Sequence, residues 1–530
     1  MDSIYSLAAL KKTGRVFLSV AFMICPYFVF AQGELALIDF KIKRPDVVDV
    51  VSLKDGRYVY CFLNRKQMQL TTVASNYTFA SASFELDKSL HHSEYLLTVR
   101  DGKYQTAYFY EERSKFVKAF RVDLSMGTTQ TVSCGVIPSE EDYLCTFQLN
   151  QKFYLITVNK KGSTFNLYES DGGNDFAKNS FEVSHTYLHN VFRADDGNLN
   201  ERKYSDIGVD EISYDLENNL KSAHALNKLY LVNGKIILTV DEPDQTWLYT
   251  IDPDLKKLEE KKLAFGLEEG EGSKEKQGNS FLYYDKLFRV TSNDDMLNVV
   301  MISLDSIKME WNGKVFRDQP ILIKNGPIVT ESGTSGTPKV IGKTTQYLSR
   351  VQNSKIAIAV NVINQQYVMQ IGAYEIKQSY GGYGNGYNTG GGSRMSIGFG
   401  MGMGGMGMGG MGMGMGGGGI GFGNGGFGGM GYGGYGGYGG NYFGYPGYYS
   451  NSGMSYIEST YFYSLIDANT LQHVELAPPK TLREKLNDYE NQKFKKSMPD
   501  LISIVPLADK NILFGYYFKS AHKYQLVEIR

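Results

Sequence analysis

The sequence predicts an all-β chain made of repeated four-stranded units, and three observations carry that expectation. The stretch from Asn227 to Phe265 divides into four short runs, KLYLV, KIILTV, TWLYTI and KLEEKKLAF, separated by Asn233-Gly234, by Asp241 to Gln245 and by Asp252 to Leu255. Apolar runs bounded by Asn, Gly, Asp and Pro are the mark of short antiparallel strands joined by tight turns. A strand, turn, strand pattern then recurs along the chain at a spacing of about 45 residues. Finally, 39 Tyr and 29 Phe against 2 Trp make the chain rich in aromatics that favour strands. Four strands in about 40 residues, repeated, are the blades of a β-propeller. Counting the copies gives seven blades, with six or eight as the other ways to partition the same runs.

The first residues read as an address. Lys11, Lys12 and Arg15 precede an apolar core from Val16 to Phe30, and Val29-Phe30-Ala31 before Gln32 fits the small-residue cleavage rule. Residues 1–31 are therefore expected to be a signal peptide cleaved between Ala31 and Gln32, with an uncleaved anchor as the alternative. Pro26 and the shortness of the run argue against a membrane span, which needs about 20 apolar residues. Ile24 stands before Cys25 where lipid attachment needs a small residue. Cleavage removes Lys11, Lys12, Arg15 and Asp2 and leaves 52 basic and 55 acidic residues in 32–530, read as one propeller domain. Such a balance argues against a nucleic-acid surface, which needs clustered Lys and Arg to neutralise phosphates. The mature chain is expected to be periplasmic, extracellular or at the cell surface. Cys61, Cys134 and Cys145 have no metal spacing; Cys134 and Cys145 could bridge, but buried thiols are the expected state.

In chain order, Leu35 to Lys43 (LALIDFKIK) is a lone strand that needs a distant partner. Blade one follows as VVDVVSL, Lys54-Asp55-Gly56, RYVYCFL, LTTV and ASASFEL. Asp-Gly between two such runs is a strong hairpin signal. Blade two repeats it with EYLLTV, Arg100-Asp101-Gly102, KYQTAYFY, KFVKAFRVDL and TTQTVSC. Blade three is DYLCTFQL, KFYLITV, STFNLYE and a strand near Phe181. Residues 184–226 are polar and read as an insertion between blades. Asp195, Asp196 and Asn198 within it lack the alternation of a calcium loop. Blade four is the Asn227 stretch. Blade five is FLYYDKLFRV, MLNVVMISL and KMEWNGKVF, and Lys324 to Thr337 reads as a loop. In blade six, QYLSRV, KIAIAVNV and YVMQIGAYEI read as strands, interrupted by a Gly-rich insertion at 380–453 and resumed by TYFYSLIDANTLQHVEL. Residues 479–496 read as a helix, with Thr481 as N-cap and Leu482, Leu486 and Tyr489 on one face. LISIVPL, ILFGYYF and KYQLVEI make a last blade of three strands. The orphan strand near the N-terminus is expected to supply its fourth and so close the ring, removing two exposed edges.

The sequence from Leu465 to Leu471, with its counterpart from Tyr249 to Leu255, places an aromatic strand before Ile-Asp-x-x-Thr-Leu or Ile-Asp-x-x-Leu. It resembles the YVTN/quinoprotein-like propeller repeats of exported bacterial proteins. That resemblance covers the repeats and implies a fold rather than an activity. The quinoprotein form carries a Trp in each blade, whereas only Trp247 and Trp311 exist here, so no quinone or other cofactor is expected.

No catalytic constellation stands out. Gly-x-Ser-x-Gly, His-Glu-x-x-His and a phosphate loop are all missing. His185 and His189 are four apart, a spacing two helical metal ligands would use, but the region reads as irregular and surface histidines are expected. The insertion at 380–453 holds more than half of the 60 Gly, and Arg394 is its only charge. Gly is interleaved first with Met401, Met403, Met406, Met408, Met411, Met413 and Met415, then with Tyr432, Tyr435, Tyr438, Tyr442 and Tyr445. Glycine loses the most entropy on ordering, so a disordered loop is expected. Three readings compete: a tolerated low-complexity expansion, self-association or partner contact through the tyrosines, and Cu(I) held by the thioethers. The functional expectation is a non-catalytic binding or scaffolding propeller of the bacterial cell envelope whose partner is a protein or glycan. A glycan hydrolase with carboxylates in the central funnel is the alternative.

Overall fold

The computed structural model describes residues 34–53, 55–173, 175–186, 188–192, 209–214, 216–265, 276–332, 338–379, 454–494, 499, 501–507, 511–518 and 521–529. Its strands form seven sheets, all antiparallel apart from one short pair. The first strand among the described residues is β1 (Glu34–Asp39). The first sheet is β2 (Val47–Ser52), β3 (Tyr58–Leu63), β4 (Gln67–Val73) and β5 (Phe79–Glu85). The second is β6 (Glu94–Asp101), β7 (Tyr104–Glu111), β8 (Phe116–Asp123) and β9 (Thr128–Val136). The third is β10 (Glu141–Leu149), β11 (Lys152–Asn159), β12 (Thr164–Ser170) and β13 (Ala177–Glu182). A helical turn α1 (Leu188–Val191), the strand β14 (Asp210–Ile212) and α2 (Leu220–Ala223) precede the fourth sheet. That sheet continues with β15 (Asn227–Val232), β16 (Lys235–Asp241), β17 (Thr246–Asp252) and β18 (Lys257–Leu263). The fifth is β19 (Gln277–Tyr283), β20 (Lys286–Ser292), β21 (Met296–Ser303) and β22 (Lys308–Phe316).

The sixth sheet departs from simple succession. It contains β23 (Asn325–Ser332), β24 (Lys339–Ile341), β25 (Lys355–Ile363), β26 (Gln366–Ser379) and β27 (Met454–Asp467), in the order β24-β23-β27-β26-β25, with α3 (Thr344–Gln352) before β25. After α4 (Leu482–Lys493), the last sheet is β28 (Ile502–Pro506), β29 (Ile512–Phe518) and β30 (Lys523–Ile529), with β1 paired to β30. Successive antiparallel meanders that pack face to face are the organisation of a β-propeller.

Turn chemistry sets the local register. Asn233 and Gly234 both adopt positive φ, 51° and 74°, which is the two-residue turn that matches strand twist between β15 and β16. Alternation then sends one set of side chains to each neighbouring sheet. Leu229, Ile236, Leu238 and Val240 pack with the third sheet's Phe147, Tyr154 and Ile156, while Tyr230, Val232, Ile237 and Leu248 pack with the fifth sheet's Phe281, Leu287 and Val300. First strands touch first strands around a common middle: β2 meets β28 and β6, β6 meets β10, and β19 meets β25.

Several elements differ from the sequence expectation. QYLSRV is part of the helix α3 rather than a strand, because Tyr347, Leu348 and Val351 bury one helical face. Lys324 to Thr337 contains β23, which pairs with β27 through Asn325, Val329 and Thr330 and takes the place expected for the strand after Asp467. With that place filled, the LQHVEL segment makes a single bridge, Ile466 to His473. FLYYDKLFRV is two strands parted at Tyr284-Asp285. Residues 209–226, read as polar insertion, turn inward instead. β14 adds to the inner edge of the fourth sheet beside β15, and Val209, Ile212, Leu216, Leu220 and Ala223 are buried. Burying each large aliphatic is worth about 1.5–3 kcal/mol, which outweighs the polar character of the segment around it. The sixth and last sheets share no core cluster among the described residues; Leu216 joins α4 and the last sheet, and Leu220 joins the sixth.

Candidate functional site

Within an antiparallel meander the second-to-third turn lies at the end from which the first strand starts, here the entry end. The Glu242 to Gln245 turn lies there and is closed by Glu242 N–H donating to the Gln245 carbonyl at 2.9 Å. Its carboxylate gathers the nearby polar groups. His185 Nε2 lies 2.9 Å from Glu242 Oε1, and Gln245 Nε2 donates to Oε2. The imidazole meets Trp247 edge-on with centroids 4.8 Å apart, and the Lys262 ammonium sits 5.1 Å from the Trp247 ring. Burial works to raise the Glu242 carboxyl, but hydrogen bonds from His185 and Gln245 outweigh it and hold the group below its usual range. His185 Nδ1 is buried with no hydrogen-bond partner among the described residues. The arrangement is a carboxylate held ionised under an aromatic and amide rim, able to accept further hydrogen bonds or hold a cation.

Beneath the turn lies a fully buried charge cluster between the fourth and fifth sheets. Arg289 Nη2 donates to the carbonyls of Glu242 and Pro243 at 2.7 and 2.8 Å, and Nη1 donates to Thr246 Oγ1 at 2.6 Å. Asp241 sits between Arg289 Nη1 at 3.5 Å and Lys228 Nζ at 3.2 Å, and it accepts the Ser280 backbone N–H at 2.7 Å. Burial lowers both cations from their ordinary values, with Asp241 opposing it. Gly278 makes room for this clamp, since a Cβ there would lie 2.5 Å from Arg289 Nη2 and 2.8 Å from the Pro243 carbonyl.

Other charges are absorbed in the same manner. His189 is buried, not at the surface as the sequence suggested, because the short helix α1 packs it inward, where Nε2 lies 2.6 Å from Asp142 Oδ2. His185 is also mostly enclosed. The two histidines therefore serve different carboxylates on different sheets. No group of three or more potential metal ligands occurs among the described residues. Glu141 accepts from Thr157, from Tyr168 at 2.8 Å and from Lys178 at 2.6 Å. Asp49 on β2 accepts from Tyr95 OH, from Thr98 N–H at 3.0 Å and from Val50 N–H at 2.8 Å. Asp123 pairs with Lys103 at 2.7 Å. The buried carboxylates on strands among the described residues, Asp49, Asp123, Glu141 and Asp241, lie on four different sheets, and each is taken up by its own protein partners.

Cys61, Cys134 and Cys145 are buried free thiols, and Cys134 and Cys145 belong to different sheets. Burial raises all three above their ordinary value. The cleavage residues Ala31 and Gln32, the methionines from Met401 to Met415 and the tyrosines from Tyr432 to Tyr445 lie outside the described residues. What is described is where residues 380–453 are attached: β26 and β27 pair from Gln366↔Asp467 to Ser379↔Met454, and that pairing leaves the sheet at the entry end. The sequence reading missed Asp49, Lys228, Asp241 and Arg289. A usable signal was present, because each is a lone charge within or at the end of an apolar run: VVDVV, NKLYLV, IILTVD and LFRV.

No family model and no curated protein sequence matches the chain. Several solved structures show partial likeness. The dihydro-heme d1 dehydrogenase NirN aligns at 8% identity and TM-score 0.25 over 51% of this chain, which spans 50% of that protein. A quinoprotein alcohol dehydrogenase-like protein of Bacteroides thetaiotaomicron aligns at 10% identity and TM-score 0.24, covering 52% of this chain and 68% of that one. The Nup133 β-propeller domain of Vanderwaltozyma polyspora aligns at 9% identity and TM-score 0.24, covering 58% and 87%. These values identify neither a family nor an activity for this chain. No helix among the described residues is long and apolar enough to cross a membrane.

Proposed function

We propose that this chain is an exported, non-catalytic binding or scaffolding protein of the bacterial cell envelope, built as a closed seven-bladed propeller. The reading of seven blades rests on seven sheets and on β1 completing the last one. One observation supports binding over chemistry above the others. Each buried carboxylate on a strand is taken up by its own hydroxyl, backbone or cationic partners, so these four carboxylates serve to hold the fold rather than to form an acid and nucleophile pair. The partner, a protein or glycan of the envelope, meets the entry end, where the Glu242 to Gln245 turn, His185 and Trp247 are placed and where the 380–453 insertion is attached.

Capture from an envelope extract tests this. Chain from Gln32 onward is compared with a version lacking 380–453 and with the Glu242→Ala, Trp247→Ala double variant. Specific envelope proteins or glycans retained by the intact chain and lost with either change support the reading and say which part binds. Retention of nothing by any form, together with release of reducing ends from envelope glycans, would overturn it.

A further inference from the structure

Register places a set of unpartnered polar groups in one buried layer. Ser280 pairs with Arg289, Gly278 with Thr291, and Thr291 with Asn298, so Ser280, Arg289, Thr291 and Asn298 point from the same face of the fifth sheet. Arg289 bonds to Asp241 and Thr246, so that face looks onto the fourth sheet. Ser280 and Arg289 are 0% exposed, Thr291 2% and Asn298 6%. Yet Ser280 Oγ, Arg289 Nε, Thr291 Oγ1 and Asn298 Oδ1 have no hydrogen-bond partner among the described residues. One orphaned buried group costs about 1–3 kcal/mol, so several gathered in one layer of a stable fold call for an occupant.

We propose that the layer between the fourth and fifth sheets is an internal binding site for ordered water. The chemistry selects water over an anion. Arg289 Nε is a donor, the Ser and Thr hydroxyls both give and accept, and Asn298 Oδ1 accepts, so the occupant must do both, which a halide cannot. Charge points the same way. Lys228 and Arg289 face Asp241, Asp210 stands in register beside Lys228, and Glu242 and Asp244 act on Arg289, so no positive excess is left to hold an anion. At about three hydrogen bonds per buried water, these groups take about two molecules. They extend the Arg289 clamp from the turn at the surface into the space between the sheets.

The test is an atomic-resolution crystal structure of the chain from Gln32 onward, with a bromide soak, beside oxygen-17 relaxation dispersion on the wild type, Thr291→Val and Thr291→Ser. Waters within hydrogen-bond reach of Arg289 Nε, Ser280 Oγ and Thr291 Oγ1 are expected. The long-lived dispersion amplitude should fall by about one water in Thr291→Val and stay unchanged in Thr291→Ser. A dry layer in which these side chains bond one another, or bromide at Arg289 Nε, would overturn the proposal. If Thr291→Val does not fold, the wild-type map and dispersion still decide.

Discussion

Two buried aspartates hold neighbouring sheets together in the same way and are stabilised by different means. Asp49 on the first sheet accepts the Thr98 N–H of the second, and Asp241 on the fourth accepts the Ser280 N–H of the fifth. Each fastens a strand of one sheet to the first strand of the next. Asp241 lies between Lys228 and Arg289, both fully buried. Among the described residues no cation pairs with Asp49; Tyr95, Thr98 and Val50 supply donors alone, and burial pushes its carboxyl up to about 6 against those hydrogen bonds. The same tie is thus made once with countercharge and once with neutral donors alone.

The largest effect expected from breaking the comparison is at the charged tie. Asp241→Leu removes the buried carboxylate that Lys228 and Arg289 share and should cost about 3–5 kcal/mol in guanidinium unfolding. A cost below about 1 kcal/mol would mean that the cations find other acceptors.

Next comes the pH response of the uncharged tie. Asp49 has an unfolded value near 3.8 and a folded one of about 6, so between these the folded chain keeps a proton that the unfolded chain has lost. The stability from this group is complete below pH about 4 and falls as pH rises through about 6, by about 3 kcal/mol in all. Asp49→Asn cannot titrate. The stability difference between wild type and variant, measured at pH 4 and pH 7, should shift by about that amount, and an unchanged difference would sink this account of the tie.

Tyr95→Phe sharpens the comparison at smaller scale. It removes one hydrogen bond to the ionised carboxylate, a loss of about 1.5–3 kcal/mol at pH 7 and less at pH 4, where Asp49 is protonated. Equal losses at both pH values would show that what the hydroxyl contributes does not depend on the charge of Asp49. The smallest effect lies away from both ties. Thr481 caps α4 through its hydroxyl and Glu484 returns the bond, so Thr481→Ala should cost about 1 kcal/mol with no pH dependence in this range.

The meanders were legible because Asp-Gly and Asn-Gly turns and alternating apolar residues are local signals, and they recur. Two kinds of feature were not. β23 joins a sheet whose other strands lie beyond it in sequence, and NGPIVTES carries too few apolar residues between Gly, Pro and polar positions to announce a strand that pairing with Thr460 and Tyr461 sustains. QYLSRV alternates well enough to pass for a strand, and only burial of Tyr347, Leu348 and Val351 together reveals its helical period. At the candidate site, His185 and Glu242 are far apart in sequence, and their meeting depends on how the third sheet hands the chain to the fourth. The lone charges at Asp49 and Arg289 were visible, but their partners, Thr98 and Asp241, are fixed by register between sheets, which composition does not encode.

The pairing of β1 with β30 has a consequence in time. Ile38 lies opposite Tyr524, so a residue takes its place beside one synthesised several hundred residues later. At about 5–20 residues per second, that partner is on the order of a minute away. Over that interval Leu35, Ile38 and Phe40, which later join the core with Tyr60, Phe62 and Tyr524, are apolar groups without their final neighbours. A strand in that condition is open to pairing with other chains, which gives any factor that shields an emerging chain a specific stretch to protect.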